Sequence, residues 1–314
     1  MIPKRPPLTN NKNSVKSARQ SIDGVLLLSK PVGLTSNTAL QKAKRLLNAR
    51  KAGHTGTLDP FADGLLPLCY GEATKFSHYL LDADKTYHAV MQLGTTTTTG
   101  DPEGEVMQTG PVTVSCEDVR AAMSVFIGAI EQIPPMHSAL KHQGRPLYEY
   151  ARAGILIDRP PRRVTIHALD VLDCTLPEVR FSVRCSSGTY IRTLAQDIGA
   201  ALGCGAHLTE LTRTESGAFR LKDAHTLEQL EAINPEARVA TLLASDCLLR
   251  HLPQVQLDHA ARLALCQGRS FASEFGSAPL VRAYDLQHRF LGLARVDADG
   301  VIAPHRLINT ANES

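Results

Sequence analysis

Short apolar runs along the chain predict strands and helices in mixed order. Residues 23–31, DGVLLLSKP, form a continuous apolar run that predicts a buried strand ending in a Lys-Pro turn. Residues 86–93 and 179–185 alternate apolar and polar side chains, which predicts two strands that each bury one face. The segment 207–214, HLTELTRT, predicts a further strand. Tyr87 falls on the apolar face of the strand at 86–93, so we expect it on the core side of a sheet.

Helical spacing separates these strands. Ser36 is expected to cap an amphipathic helix that continues to Ala49 and buries a face of alanines and leucines. Further helices are predicted at 72–81, within 111–130, and from 188 to about Leu202. Basic residues occupy other positions of the first helix and the positions just after it: Lys42, Lys44, Arg45, Arg50 and Lys51. Such a run is commonly a solvated face, but beside a glycine-rich loop it favours a role in guiding phosphates.

The two ends of the chain differ from its middle in composition and in hydrophobic pattern. Residues 1–21 are rich in Pro, Asn, Ser and Lys, which predicts a disordered basic tail whose simplest role is solvation, with weak RNA tethering as the alternative. From about residue 249, short strand-like pieces are separated by glycines, which predicts a small β domain over 249–314. The alternative for this segment is a capping domain without an RNA-binding role. Residues 22–248 are left as the main domain.

Composition and charge narrow the function classes only slightly. The 314 residues suit one large and one small domain, and the formal net charge of +3 does not by itself indicate a nucleic-acid partner. Seven cysteines are scattered without a C-x-x-C pair, so we expect neither a zinc site nor a disulfide framework. Reduced thiols, and the lack of a signal peptide or a run of about 20 apolar residues, favour a cytoplasmic protein without a membrane partner.

The segment 52–66, AGHTGTLDPFADGLL, carries the strongest candidate chemistry. Its glycines, Gly53, Gly56 and Gly64, allow the backbone to approach a ligand closely. Pro60 disfavours the helical region for Asp59, so we expect the carboxylate on a loop at a helix entrance. Two interpretations follow: an Asp N-cap at a turn, or a buried carboxylate aimed as a nucleophile. The local pattern leaves both open.

The segment 134–163 combines positive charge with aromatic rings. Tyr148 and Tyr150 are interleaved with seven basic side chains: Lys141, His142, Arg145, Arg152, Arg159, Arg162 and Arg163. Basic and aromatic residues on one segment are typical of a grip on an RNA backbone and its bases. A solvated amphipathic helix is the alternative, but it does not easily explain Pro134-Pro135.

Three separated motifs resemble a known family. Residues 53–66, GHTGTLDPFADGLL, are followed by Lys-Thr-Tyr at 85–87 and Gly-Thr-Tyr-Ile-Arg at 188–192, in the order found in the pseudouridine synthases of the TruB type. The resemblance extends from about Asp23 to Thr214, and more weakly to the C-terminus. It implies an α+β fold: a mixed, largely antiparallel sheet flanked by helices, with Asp59 in a central cleft. It also implies a C-terminal PUA-like β domain, and an insertion at 134–163 that grips RNA.

The resemblance assigns three catalytic residues. Asp59 matches the nucleophile, and Arg192 matches the arginine that pairs with it and keeps it ionised. Tyr87 matches the tyrosine that stacks on the target base and is a candidate for removing the proton from C5. A phenol with an ordinary pKa near ~10 is a poor base at pH 7, so stacking is the favoured role.

Other residues are assigned to substrate or RNA binding. His54 matches a histidine that fills the space left by the flipped nucleotide, and Tyr190 and Leu211 match the lining of the uracil pocket, with core packing as their alternative. Lys30, in Lys30-Pro31-Val32-Gly33, is expected to anchor backbone, and Lys141, Arg145 and Arg152 to contact RNA. Two positions depart from the family pattern. His137 stands where Tyr or Phe is usual, and Thr212 replaces the first residue of an Arg-Arg pair.

The implied function is isomerisation of uridine 55 in the T loop of tRNA to pseudouridine, by base flipping and without a metal or other cofactor. The partner is the T stem-loop of tRNA, and the chain is expected to act as a monomer. Whether it also assists tRNA folding, alongside catalysis, stays open. Whether the carboxylate attacks C1′ or C6 stays open. Two rival functions are a carboxylate-based nucleoside N-glycosylase, which would show a second acid or base, and an RNA-binding module without chemistry.

Overall fold

A computed structural model of the chain describes residues 18–309. Its strands are β1 (Gly24–Lys30), β2 (Ala52–His54), β3 (Asp63–Tyr70), β4 (Lys85–Leu93), β5 (Thr95–Thr97), β6 (Val106–Thr109), β7 (Gly128–Gln132), β8 (Lys141–His142), β9 (Arg145–Pro146), β10 (Arg162–Thr175), β11 (Glu178–Cys185), β12 (Ala206–Ser216), β13 (Phe219–Arg220), β14 (Gln254–Leu257), β15 (Phe271–Ala272), β16 (Ala278–Asp285), β17 (Phe290–Val296) and β18 (Val301–Leu307). Its α-helices are α1 (Ser36–Leu46), α2 (His78–Leu81), α3 (Cys116–Ser124), α4 (Leu147–Arg152), α5 (Ile191–Ala201), α6 (Leu227–Ala232) and α7 (His259–Cys266). Turns of 3₁₀-helix cover Gly71–Phe76, Leu221–Asp223, Arg238–Thr241 and Ser245–Leu249.

A large mixed sheet forms the main body. Its strand order is β1-β3-β12-β4-β11-β10-β7, with β2 paired to β3 and β13 paired to β12. Each of these pairings is antiparallel except that of β12 with β3. The predicted α+β class with a largely antiparallel sheet is therefore confirmed. The parallel step places β12 between the strand that follows the glycine-rich loop and the strand that carries Tyr87.

Both faces of this sheet are covered. In β1, Leu26 and Leu28 join a core that includes α1 and α5, while Val25 and Leu27 join a second core on the opposite face. This explains why the segment is a continuous apolar run rather than an alternating one. The alternation predicted for β11 is confirmed, since Val179, Phe181, Val183 and Cys185 are all buried.

A second sheet follows near the C-terminus. Its strand order is β14-β16-β17-β18-β15, and it has a hydrophobic core of its own against which α7 packs. The short strands predicted there are present. The domain boundary at 248/249 and the PUA assignment stay predictions. Of the predicted basic tail, residues 1–17 lie outside the described part of the chain. Gln20 pairs with Ala49, so the described part begins beside the end of α1.

Two local predictions around the glycine-rich loop were wrong. The N-cap of α1 is Thr35, whose Oγ1 accepts a hydrogen bond from the Thr38 N–H at 3.0 Å, and the helix ends at Leu46. Ser36 is instead buried and contacts the loop. The segment after Asp59 enters β3 and not a helix, because its apolar run is buried on both faces of the sheet.

The cysteine prediction was wrong for one pair. Cys116 and Cys174 form a disulfide, because the first turn of α3 packs against the end of β10 and brings the two Cα atoms to 6.0 Å. The other five cysteines, all within residues 18–309, are free thiols. That part of the chain contains no group of three or more His, Cys, Asp or Glu side chains arranged to hold a metal. None of its helices has the length and apolar character that a membrane crossing requires.

Two lysines are buried at strand ends. Lys30 Nζ donates hydrogen bonds to the carbonyl oxygens of Pro31 at 2.9 Å and Leu34 at 2.7 Å. Lys85 Nζ donates to the carbonyl oxygens of Leu80, Leu81 and Ala83, which end α2. Burial lowers the pKa of each ammonium from 10.5 to about 8. The folded state therefore binds these two protons more weakly than the unfolded state does.

We expect this weaker proton binding to make stability rise with pH. Between pH 7 and 9.5 the folded chain loses the Lys30 proton while the unfolded chain keeps it, so this lysine adds about 2 kcal/mol to the free energy of unfolding over that range. Denaturant unfolding of the wild type and of Lys30→Met at both pH values measures this increment as a difference. Lys42→Met, which removes an exposed lysine of α1, is the control. Equal pH dependence in the wild type and Lys30→Met would contradict the assignment.

Candidate active site

A cleft of about 380 Å³ opens beside the glycine-rich loop. Its walls come from that loop, from β4 and β12, from the start of α5, and from the insertion. The lining residues that bear on the chemistry are Asp59, Lys85, Tyr87, Tyr190, Arg192, Leu211 and Arg213. The cleft therefore brings together residues that are more than 150 positions apart in the chain.

The predicted pair of Asp59 and Arg192 is present. Arg192 Nε lies 3.0 Å from Asp59 Oδ2, and the Arg192 side chain is 4% exposed while that of Asp59 is 33% exposed. The carboxylate therefore faces the cleft and the guanidinium supports it from behind. Burial raises the pKa of Asp59, and the positive charge of Arg192 opposes that rise. The alternative of a simple N-cap is excluded, because no helix follows Asp59.

Arg192 is held by a second carboxylate that sequence reasoning missed. Asp101 Oδ2 lies 3.1 Å from Arg192 Nη1, and Asp101 is 2% exposed. Its other oxygen, Oδ1, accepts hydrogen bonds from Thr99 Oγ1 at 2.5 Å and from the Glu103 N–H at 3.0 Å. An available signal was the second Asp-Pro pair, Asp101-Pro102, directly after a threonine-rich run.

Backbone oxygens complete the environment of Arg192. Nη1 also donates to the Thr99 carbonyl at 3.0 Å, and Nη2 donates to the His137 carbonyl at 2.7 Å. One guanidinium thus joins the glycine-rich loop, the hairpin between β5 and β6, and the insertion. Because His137 contributes its backbone oxygen, the departure from the usual aromatic residue at this position does not remove this contact.

The loop that carries Asp59 is fixed from two sides. Ser36 Oγ accepts a hydrogen bond from the Leu58 N–H at 2.8 Å and donates one to the Leu58 carbonyl at 3.0 Å. Arg213, also missed from the sequence, donates to the carbonyls of Gly56, Thr57 and Leu65. The signal for Arg213 was its spacing: it lies two residues after Leu211 in a predicted strand, and so on the same face.

The three residues expected to surround the base all line the cleft. Tyr87 and Leu211 contribute from β4 and β12, and Tyr190 lies at the start of α5. The Tyr190 backbone is held by Gln132, whose Oε1 accepts from the Tyr190 N–H at 3.0 Å and whose Nε2 donates to its carbonyl. Burial raises the pKa of both Tyr87 and Tyr190. Both phenols are therefore neutral at pH 7.

Two other predicted residues lie away from the cleft lining. His54 is on β2, opposite Leu68, and its Nδ1 is buried without a hydrogen-bond partner in the part of the chain that is described. Burial, together with the charge of Arg213, lowers the pKa of His54, so the imidazole is neutral at pH 7. Lys30 is fully buried and bound to backbone carbonyls, which agrees with anchoring and leaves it no path to an RNA phosphate.

The insertion reaches the cleft through residues 138–140, which line it. Its basic residues Lys141, Arg145 and Arg152 follow in the chain and are exposed. Two guanidiniums rest on tyrosine rings: Arg145 lies 4.9 Å from the Tyr150 centroid and Arg152 lies 5.5 Å from that of Tyr148. The segment therefore presents charge and ring surface together.

Comparison with known proteins assigns the family. Residues 44–191 match the model of the TruB family pseudouridylate synthase N-terminal domain. Residues 192–252 match that of the tRNA pseudouridylate synthase B C-terminal domain, and 253–308 that of the pseudouridine synthase II TruB C-terminal region. The chain is 65% identical to a tRNA pseudouridine synthase B of Thiobacillus denitrificans over 94% of this chain and 99% of that one. It is 56% identical to one of Aromatoleum aromaticum over 93% and 94%.

Solved structures show the same fold. A chain in a Cbf5-Nop10-Gar1 complex superposes with a TM-score of 0.68 at 28% identity, over 90% of this chain and 84% of that one. A chain of an H/ACA RNP bound to a substrate RNA containing 2'-deoxyuridine also gives a TM-score of 0.68, at 26% identity over 92% and 86%. From these family matches and identities, this chain belongs to the TruB family of pseudouridylate synthases.

Proposed function

We propose that this chain isomerises uridine 55 in the T loop of tRNA to pseudouridine, with Asp59 as the nucleophile and without a cofactor. Its relatives are named tRNA pseudouridine synthase B, and conversion of uridine to pseudouridine in tRNA is the reaction of the family. The observation that carries the proposal is the partly exposed Asp59 carboxylate, which is paired with a buried guanidinium beside two tyrosines that line the same cleft.

The reaction breaks the N1–C1′ bond, turns the base and forms a C5–C1′ bond, while C5 loses a proton and N1 gains one. The substrate nucleotide is extruded from the RNA before this can occur. Asp59 attacks C1′ or C6 in its ionised form, and Arg192 favours that form and sets its orientation. Because atoms balance within the substrate, the isomerisation consumes no second substrate.

Tyr87 and Tyr190 provide ring surfaces for the extruded base, and Leu211 supplies an apolar contact. Stacking is worth about 1–3 kcal/mol per base in RNA-binding proteins, which helps to offset extrusion. We assign Tyr87 the stacking contact, since its raised pKa keeps the phenol neutral. Its oxygen is also the candidate acceptor for the C5 proton. His54 lies beyond the cleft lining on β2, where we place it against the RNA loop from which the base departs.

Substrate binding rests on positive charge around the cleft. We assign Lys141, Arg145 and Arg152 contacts to the phosphates of the T stem-loop. A second basic cluster, here called the seam cluster, consists of His78 from α2, Arg295 from β17, and His305 and Arg306 from β18. Burial lowers the pKa of His305, and the nearby positive charges of Arg295, Arg306 and His78 lower it further. No carboxylate within residues 18–309 forms an ion pair with Arg295 or Arg306.

The seam cluster is continuous with the cleft through α2. Leu81, the last residue of this four-residue helix, lines the cleft, while His78 begins it. Tyr79, between them, is close to the charges of Arg295 and Arg306. We therefore propose that a domain comprising residues 249–314 contacts a part of the tRNA outside the T stem-loop, while residues 22–248 hold the T loop itself.

The decisive test of the reaction uses tRNA transcript labelled with tritium at C5 of uridine. We expect the wild type to release tritium and Asp59→Asn to release none, while Asp59→Asn remains folded and binds tRNA. Free uracil among the products would instead indicate an N-glycosylase. Binding without release by either protein would indicate an RNA-binding module. Refolding of tRNA by Asp59→Asn would reveal a folding function that does not depend on the chemistry.

A second prediction concerns Asp101. Asp101→Asn leaves Arg192 with one carboxylate instead of two, so we expect a loss of stability of about 3 kcal/mol and a fall of about 100-fold in the single-turnover rate at saturating enzyme. The dissociation constant for tRNA should not change. Glu105→Gln, which removes an exposed charge from the same hairpin, is the control. A normal rate in Asp101→Asn would show that Arg192 does not need this carboxylate.

A third prediction concerns the seam cluster. Affinity for tRNA should fall steeply with salt, and the double variant Arg295→Ala/Arg306→Ala should weaken full-length tRNA binding and reduce the salt slope by about two. Its affinity for an isolated T stem-loop should match that of the wild type. Arg269→Ala, in the same sheet domain, controls for loss of positive charge. Equal weakening for both RNAs would place the cluster on the T stem-loop instead.

A further inference from the structure

Arg213 occupies the central strand of the site. In the sheet register, β12 places it opposite Gly64 of β3 on one side and opposite Tyr87 of β4 on the other. The side chain is 1% exposed, and no carboxylate within residues 18–309 pairs with it. Because a buried charge without a counterion is costly, its N–H groups must be satisfied by neutral acceptors.

Those acceptors belong to the loop that carries Asp59. Arg213 Nε donates to the Leu65 carbonyl at 2.7 Å, Nη1 to the Thr57 carbonyl at 3.4 Å and Nη2 to the Gly56 carbonyl at 3.3 Å. Two of these carbonyls precede Asp59 and one follows it. A single planar group therefore fixes both ends of the loop around the nucleophile.

The loop also approaches the Arg213 backbone closely. Gly64 has a φ of +101°, and a Cβ placed there would lie 2.4 Å from the Arg213 carbonyl oxygen. Only glycine fits such a contact. The close packing allows the guanidinium to reach the loop carbonyls from the neighbouring strand, so that the spacing between β12 and the loop is set by both backbone and side chain.

Tyr87 lies opposite Arg213 in the sheet register, and the positive charge of the same guanidinium opposes the rise in the phenol's pKa that burial causes. Arg213 thus adjoins the two groups that must meet the extruded uridine: the loop of Asp59 and the ring of Tyr87. Its hydrogen bonds to the loop depend on donors that lie in one plane at fixed angles.

We propose that Arg213 is a positioning residue that holds the Asp59 loop and the Tyr87 phenol at a fixed separation for catalysis. This inference rests on the proposed function. A lysine would keep the charge but lacks the planar fork, so it cannot bind the carbonyls at both ends of the loop beside Tyr87. The expected consequence is a much slower chemical step with only a small change in binding, because most of the RNA affinity comes from other surfaces.

The test compares Arg213→Lys with Arg238→Lys. Arg238 is a matched control, because its guanidinium also donates to backbone carbonyls, those of Leu230, Ile233, Leu46 and Glu231, but lies outside the cleft. We expect Arg213→Lys to lower the single-turnover rate of tritium release at saturating enzyme about 100-fold, while the dissociation constant for tRNA rises no more than several-fold. Arg238→Lys should lower thermal stability while keeping the wild-type rate. Equal rates for the two variants would overturn the proposal.

A double-mutant cycle separates positioning of Tyr87 from a general packing effect. If Arg213 acts partly through the phenol, Arg213→Lys should cost less in a Tyr87→Phe background than in the wild type. If the Tyr87→Phe rate is too low to measure, a binding comparison in the Asp59→Asn background replaces it. There the affinity for a T stem-loop with uridine at the target position is compared with the affinity for one with an abasic target. There Arg213→Lys should reduce the preference for uridine several-fold, and Arg238→Lys should leave it unchanged. If Arg213→Lys has the same effect on the rate with and without the Tyr87 phenol, and leaves the preference for uridine unchanged, the coupling between Arg213 and Tyr87 is overturned.

Failure of this inference is distinguishable from failure of the proposed function. Tritium release by the wild type establishes the reaction before any Arg213 variant is measured. Release by the wild type together with a normal rate in Arg213→Lys would refute only the positioning role. Without release by the wild type, the binding cycle still decides whether Arg213 orders Tyr87, because it needs no turnover.

Discussion

The ion pair between Asp59 and Arg192 is the interaction on which the rest of the site depends. A carboxylate at the edge of a poorly hydrated cleft loses solvation, and burial alone would favour its protonated, unreactive form. Arg192 offsets this by an ion pair at 3.0 Å from a side chain that is itself almost fully buried. The ionised state of Asp59 thus depends on how well the protein keeps one guanidinium charged and correctly oriented.

Keeping that guanidinium in place involves distant parts of the chain. Asp101 supplies a second carboxylate, and the carbonyl oxygens of Thr99 and His137 accept its remaining hydrogen bonds. The hairpin of β5 and β6 and the start of the insertion therefore support the guanidinium that pairs with Asp59. This arrangement couples a segment proposed to grip RNA to the residue proposed to perform the chemistry.

The glycine-rich loop follows the same physical logic. Its side chains Leu58, Phe61 and Ala62 pack into the main core, and neighbouring elements also hold its backbone: Ser36 binds both polar groups of Leu58, and Arg213 binds carbonyls at both ends. Glycines at 56 and 64 adopt positive φ angles, whereas Gly53 lies in a regular strand. Rigid anchoring of this kind pre-aims Asp59 without placing bulky groups where the substrate must enter.

Sequence alone determined the local elements and most of the residues that form the candidate site. Alternation located β4 and β11, a continuous apolar run located β1, and three motifs located Asp59, Tyr87 and Arg192, which meet in one cleft. It did not reveal Asp101, Arg213 or the disulfide between Cys116 and Cys174, and it misassigned Ser36 as a helix cap. These four features share one cause: each depends on a partner far away in the chain. Side-chain periodicity reports which face of an element is buried, but only the sheet order and its parallel step decide which buried polar groups meet.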